Sequence, residues 1–156
     1  MLLRVEKVSA ERLDDILGLG TVFFYESDNK NLTLDLNLYK ESLLSVINHI
    51  NHAIFMVFNN EEPVGYIIVY QDREFTVEFI GEIYQYYILP EYRGTKAFTM
   101  LRDAVNKQFQ DWGVAKGYMT ASSGVGDVKK NNQLIENAWR KSGYTTTGLV
   151  MTKEFK

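Results

Sequence analysis

Apolar residues follow two periods along this chain, and the changeover comes near residue 52. Before it the spacing is helical: Leu13, Ile16, Leu17 and Phe24 recur at helical steps behind Ser9, which is placed to cap them. A short strand is predicted ahead of this helix, over residues 2–8, where Leu and Val mix with alternating charge. A second helix is predicted from about Leu38 to Ile50, with Leu43, Ile47 and Ile50 on one stripe and Asn48 to Asn51 at its end. From Ala53 onward the pattern is that of strands. Residues 53–58, 64–70 and 76–89 are rich in β-branched and aromatic side chains and are separated by Asn59-Asn60-Glu61-Glu62-Pro63 and Gln71-Asp72-Arg73-Glu74. Connections this short make hairpins, so the three strands are expected to be sequential and antiparallel.

The helical period returns from Thr95 to Trp112. Ala97, Leu101, Ala104, Val105, Phe109 and Trp112 form one side, Arg102, Asp103, Lys107 and Gln110 the other, and Gly113 stands where the helix should stop. A strand over Tyr118 to Ser122, a loop with Gly124 and Gly126, a helix over Lys129 to Lys141 and a last strand over Thr145 to Phe155 complete the expectation. Strand, helix, strand over 82–122 requires a parallel pair with a crossover. The expected fold class is α/β (α+β): one domain over residues 1–156, a mixed, mostly antiparallel sheet flanked by helices, in the order β-α-α-β-β-β-α-β-α-β.

Composition then narrows the chemistry. The chain has 156 residues, 46% hydrophobic and 24% charged, the balance of one globular domain with a core of its own. There is no cysteine and only two histidines, so thiolate nucleophiles, disulfides and Cys-ligated metals are excluded. His49 and His52 have no evident third ligand, and no metal is expected. A net charge of -3 argues against a nucleic-acid partner. No apolar run approaches the roughly 20 residues of a membrane span, and Met1 to Lys7 is charged at once, so no membrane association and a cytoplasmic location are expected.

The most informative junction is Ile88-Leu89-Pro90-Glu91-Tyr92-Arg93-Gly94-Thr95-Lys96-Ala97-Phe98, where a strand ends in a basic loop that opens into an amphipathic helix. Free backbone N–H groups and the helix dipole converge there and suit an anion such as a pyrophosphate; the alternative is an ordinary strand-to-helix turn with basic residues in solvent. Strand alternation places Glu82, Tyr84 and Tyr86 on one face and Tyr87 on the other, with most of these rings expected in the core.

At this point the sequence resembles the GNAT superfamily of acyl-CoA-dependent N-acyltransferases. The resemblance lies in the order of elements, in Ile88-x-Pro90-x-Tyr92-Arg93-Gly94 before a helix, and in Asn132 with Trp139-Arg140-Lys141-Ser142-Gly143-Tyr144. It implies acetyl-CoA as co-substrate, an amine acceptor on a small molecule, peptide or protein, and direct transfer without a covalent enzyme intermediate. It also implies cofactor contacts from Tyr86, Tyr87, Ile88, Arg93, Gly94, Thr95, Lys96, Ala97, Phe98, Asn132 and Trp139. Glu82, eleven residues before Arg93, matches the basic glutamate of histone-type members and sits on a strand next to Ile83 and Tyr84, which would desolvate it. A bulged point at Tyr86 or Tyr87 would offer a backbone N–H to the oxyanion, and Phe23, Phe24, Tyr25 and Tyr84 would line the acceptor side. The chain departs from the pattern at three positions: Lys96 and Phe98 replace two small loop residues, and Trp139 replaces a tyrosine that serves as general acid, leaving Tyr144, Tyr118 or water for that task. A second expectation is a GNAT-shaped module without turnover that engages a protein partner. A monomer or homodimer is expected in either case.

Overall fold

The computed structural model describes residues 1–73, 76–120 and 128–148. Five strands, β1 (Leu3–Lys7), β2 (His52–Asn59), β3 (Glu62–Asp72), β4 (Phe79–Ile88) and β5 (Val114–Met119), form one sheet in the order 1-2-3-4-5. The first three junctions are antiparallel and β4–β5 is parallel. Helices α1 (Leu13–Glu26) and α2 (Leu36–Asn48) lie between β1 and β2 in the chain, α3 (Lys96–Asp111) between β4 and β5, and α4 (Val128–Arg140) after β5.

The sheet separates two cores. Ile54, Met56, Phe58, Tyr66, Ile68 and Tyr87 face α1 and α2, where Ile16, Leu19 and Leu43 cover them. Val57, Val64, Ile67, Val69, Ile83 and Ile88 face the other way, under Leu101, Val105 and Phe109 of α3 and Trp139 of α4. Six consecutive residues of β2, Ala53 to Phe58, are buried, because both faces of this central strand are covered. That is why its sequence is a continuous apolar run instead of an alternation. Burying a side chain of this size contributes about 1.5–3 kcal/mol.

Local chemistry sets the element ends, in places differently from expectation. Ser9 does not cap α1: it precedes a 3-10 turn over Ala10–Arg12 and makes no side-chain cap, and α1 begins at Leu13. Asp35, whose Oδ1 accepts from the N–H groups of Asn37 and Leu38 at 3.0 Å, starts α2 two residues early. Ile50, expected on the α2 stripe, lies beyond the helix and is 85% exposed. β5 starts at Val114, and residues 145–148 carry no strand; the rest of the expected last strand and the Gly124/Gly126 loop lie outside the described residues.

Two glycines are required by geometry. A Cβ on Gly81 of β4 would stand 2.8 Å from the Phe109 ring, so α3 packs this closely only over glycine. Gly94 has φ +79°, a backbone state that favours glycine and turns the chain into α3.

Candidate active site

β5 accompanies β4 only as far as Ile83. The parallel register runs from Phe79↔Val114 to Glu82↔Tyr118 and Ile83↔Met119, and from Tyr84 to Ile88 that edge of β4 has no strand partner among the described residues. At the same point the β3–β4 register slips: Ile68 faces Gln85 while Val69 faces Ile83, which leaves Tyr84 as the extra residue of a bulge.

One inserted residue moves everything beyond it to the opposite face. Glu82, opposite Tyr70, and Tyr87, opposite Tyr66, therefore share the α1/α2 face, while Tyr86, opposite Ile67, joins Ile83 on the α3/α4 face. This corrects the simple alternation, which grouped Glu82 with Tyr86 and set Tyr87 apart. It also moves the bulge from Tyr86 or Tyr87 to Tyr84, whose ring is 68% exposed.

On the α1/α2 face the registers align His52, Tyr70, Glu82 and Tyr118 in one row across four strands. Tyr70 Oη donates a hydrogen bond to Glu82 Oε2. Burial first, and then the bond to Glu82, pushes the Tyr70 phenol up to about 12. His52 packs on Tyr70 at 5.6 Å and against His49 at 4.3 Å, and its pKa is lowered by burial and then by His49. The desolvation expected from Ile83 and Tyr84 does not materialise: Ile83 points through the sheet, Tyr84 is exposed, and Glu82 is partly open to solvent with a phenol as partner.

Towards the end of β4, Phe23 of α1 packs edge-on against Tyr87 at 5.7 Å, Phe24 packs on Tyr25 at 5.3 Å, and Tyr25 is 57% exposed. Arg93 was expected to direct its charge at the α3 N-terminus. Its Nε instead donates to the Ile88 carbonyl at 2.9 Å, its guanidinium pairs with Glu26 at 3.3 Å and lies 5.5 Å from the Tyr87 ring centre. The Ile88 carbonyl is thereby taken by a side chain. Burial, and then Glu26, pushes the Tyr87 phenol up. At the α3 start, Thr95 Oγ1 accepts from the Ala97 N–H at 3.2 Å and donates to the Tyr92 carbonyl at 2.7 Å, while Gly94 and Lys96 are exposed and Ala97 is buried.

On the α3/α4 face four rings close on one another. Trp139, 2% exposed, meets Phe98 at 5.3 Å, Tyr86 at 6.2 Å and Tyr144 at 5.0 Å. Phe98 thus turns inward under α4. Among the described residues, Tyr86 Oη and Trp139 Nε1 are both buried without a hydrogen-bond partner; the nearby indole N–H only partly offsets the burial that raises the Tyr86 phenol. Burial also pushes the Tyr144 phenol up. Asn132, Trp139 and Tyr144 line a cavity of about 860 Å³ beside β5, and Tyr118 lines it too. The structure therefore divides the expected residues into three groups: Glu82 and Tyr84 beside Tyr70, Tyr87 with Phe23 and Arg93, and Tyr86 with Phe98, Trp139 and Tyr144. Sequence reasoning missed Tyr70, because its pairing with Glu82 depends on a strand register that the turn residues do not reveal.

A family model described as the acetyltransferase (GNAT) family matches residues 14–144. The chain belongs to the GNAT acetyltransferase family. Its fold is that of solved GNAT enzymes. An aminoglycoside acetyltransferase from an uncultured soil metagenomic sample, solved with sisomicin, has a TM-score of 0.75 at 17% identity over 99% of this chain and 95% of its own. A ribosomal-protein-alanine N-acetyltransferase from Brucella melitensis biovar Abortus 2308 has a TM-score of 0.70 at 12% identity, covering 99% and 100%. A transcriptional regulator from Bacillus halodurans C-125 reaches 0.77 at 13%, again covering 99% and 100%. No curated protein matches the chain. At such identities the likeness is one of fold. Among the described residues no helix is long and apolar enough to cross a membrane, and no group of three or more His, Cys, Asp or Glu could hold a metal.

Proposed function

We propose that the protein is an N-acetyltransferase that moves an acetyl group from acetyl-CoA to an amine of a small molecule, peptide or protein by direct transfer, with Glu82 as general base. The observation that carries this reading is the position of Glu82: the last but one residue of β4 paired with β5, two residues before the bulge and the unpartnered edge. The acceptor nitrogen gives a proton to the Glu82 carboxylate, the C–N bond forms as the thioester C–S bond breaks, and the sulfur leaves as a thiolate that takes a proton from water.

Acetyl-CoA supplies the acetyl group as a thioester, and the residues present suit it. The open edge of β4 from Tyr84 to Ile88 offers backbone groups to an extended chain, although the Ile88 carbonyl is already engaged by Arg93. Gly94, Lys96 and the capped start of α3 offer N–H groups and a positive charge to phosphate. Phe98 does not oppose this, because its ring packs into the Trp139 cluster. Tyr25 and Tyr84, both exposed, remain the residues for the acceptor wall. An intracellular location accords with this reading.

A second reading, a binding module without turnover, draws on Trp139, which carries no acid at a position where the family places one. One experiment separates them: calorimetric titration with acetyl-CoA, then release of free thiol with sisomicin and an N-terminal alanyl peptide as acceptors. Binding and thiol release support the enzyme; no binding at millimolar acetyl-CoA rejects it. Glu82→Gln is expected to lower kcat by about 10²- to 10⁴-fold with little change in acetyl-CoA affinity.

A further inference from the structure

We propose that Tyr70 is a positioning residue for Glu82, presenting one carboxylate oxygen to the acceptor by holding the other. The inference rests on the assignment of Glu82 as base and adds to it a residue on a different strand. Tyr70 Oη donates to Glu82 Oε2, and among the described residues no hydrogen bond is made to Oε1. Among the described residues the carboxylate is thus held at one oxygen and unbonded at the other.

The holder is itself braced. Tyr70 faces His52 across the β2–β3 ladder, with rings 5.6 Å apart and 32° from parallel, and His52 meets His49 edge-on at 4.3 Å. His49 is held in turn by the N–H of Asn51, which donates to its Nδ1 at 3.1 Å. A glutamate on a strand otherwise samples several rotamers, and a reacting atom displaced by about 1 Å can lose on the order of 10²-fold in rate. The pKa of Tyr70, pushed up to about 12, keeps the proton on Oη through the neutral range, so Tyr70 stays a donor and the acceptor's proton has only the carboxylate to go to. Other titratable groups near the pair are Asp72 on β3, Tyr84 on β4, Lys116 and Tyr118 on β5, His52 on β2, and His49 and Tyr39 from the α2 side. The Lys116 ammonium lies 5.0 Å from the Tyr118 ring centre. Among the described residues, Tyr70 is the one that bonds the carboxylate.

The test compares Tyr70→Phe, which removes the donor and keeps the ring, with Tyr70→Gln, which keeps a donor, and with Glu82→Gln. In wild type and Tyr70→Phe, labelled with ¹³C at the glutamate side-chain carboxyl, the Glu82 resonance is compared at neutral pH; it is expected to move in the Phe variant, since a hydrogen-bond donor to the carboxylate has been removed. An unmoved resonance overturns the proposal whether or not an acceptor has been found. With sisomicin or the alanyl peptide as acceptor, Tyr70→Phe should lower kcat by roughly 10-fold or more, leave the KM for acetyl-CoA unchanged and shift the acidic limb of kcat/KM upward, with Tyr70→Gln closer to wild type. Equal losses in the Phe and Gln variants overturn the role of the donor. If the Phe variant does not fold, a Gln variant with the wild-type acidic limb supports the proposal and one with a displaced limb overturns it. If Glu82→Gln is inactive while the Tyr70 profiles match wild type, only the positioning role falls; if Glu82→Gln keeps full activity, the assignment of the base falls as well.

Discussion

The two faces of β4 carry tyrosines alike and surround them differently. On the α1/α2 face, Tyr70, Tyr118 and His52 stand in line with a partly exposed carboxylate, and the phenol of Tyr70 has Glu82 as its partner. On the α3/α4 face, Tyr86 is enclosed with Phe98, Trp139 and Tyr144, and its hydroxyl has no hydrogen-bond partner among the described residues. A phenol with a charged neighbour and access to solvent can tune a proton transfer, whereas one sealed among rings contributes chiefly area and shape. The same residue type is thus assigned to chemistry or to packing by which face the backbone gives it, and the bulge at Tyr84 makes that assignment.

The largest structural effect should fall on the packed face. Trp139→Ala is expected to cost about 3–5 kcal/mol in urea unfolding, because it empties a site that is 2% exposed and removes three ring contacts. A cost below about 1 kcal/mol would erase the contrast between the faces. Next, Gly81→Ala should cost about 1–3 kcal/mol, since the new methyl would stand 2.8 Å from the Phe109 ring and α3 would have to withdraw. An unchanged unfolding midpoint would mean that α3 accommodates the methyl without strain.

The smallest effect belongs to the polar row and is a dependence on pH. His52 has its folded pKa lowered, by burial first and then by His49. The unfolded chain therefore takes up a proton first as pH falls through about 6.5. Stability contributed by neutral His52 is complete above that value and declines as pH falls towards the lower folded pKa. In thermal unfolding between pH 7 and pH 5, His52→Asn should flatten part of the slope; identical slopes would detach His52 from the row.

Much of the scaffold was legible in the residues. The change of period near residue 52, the three hairpin strands and the amphipathic α3 follow from apolar spacing, because a helix and a strand bury their faces at different repeats. Trp139 stood out by its type, and Glu82 by its distance from Arg93. Tyr70 did not, since its contact with Glu82 joins two strands whose register is set by pairing over their length. Arg93 was legible as a cation and not as a ligand of the Ile88 carbonyl, because the direction of a long side chain depends on what lies within reach.

The absence of cysteine, the small net charge and the order of elements were determined by the sequence alone, and the first of these removes thiolates from any proton transfer or nucleophilic attack. The facing of each tyrosine was decided only by the tertiary structure. Strand alternation is a local rule that holds until one residue is inserted, and whether it is inserted depends on how β4 pairs with β3, a long-range match that no neighbouring residue encodes.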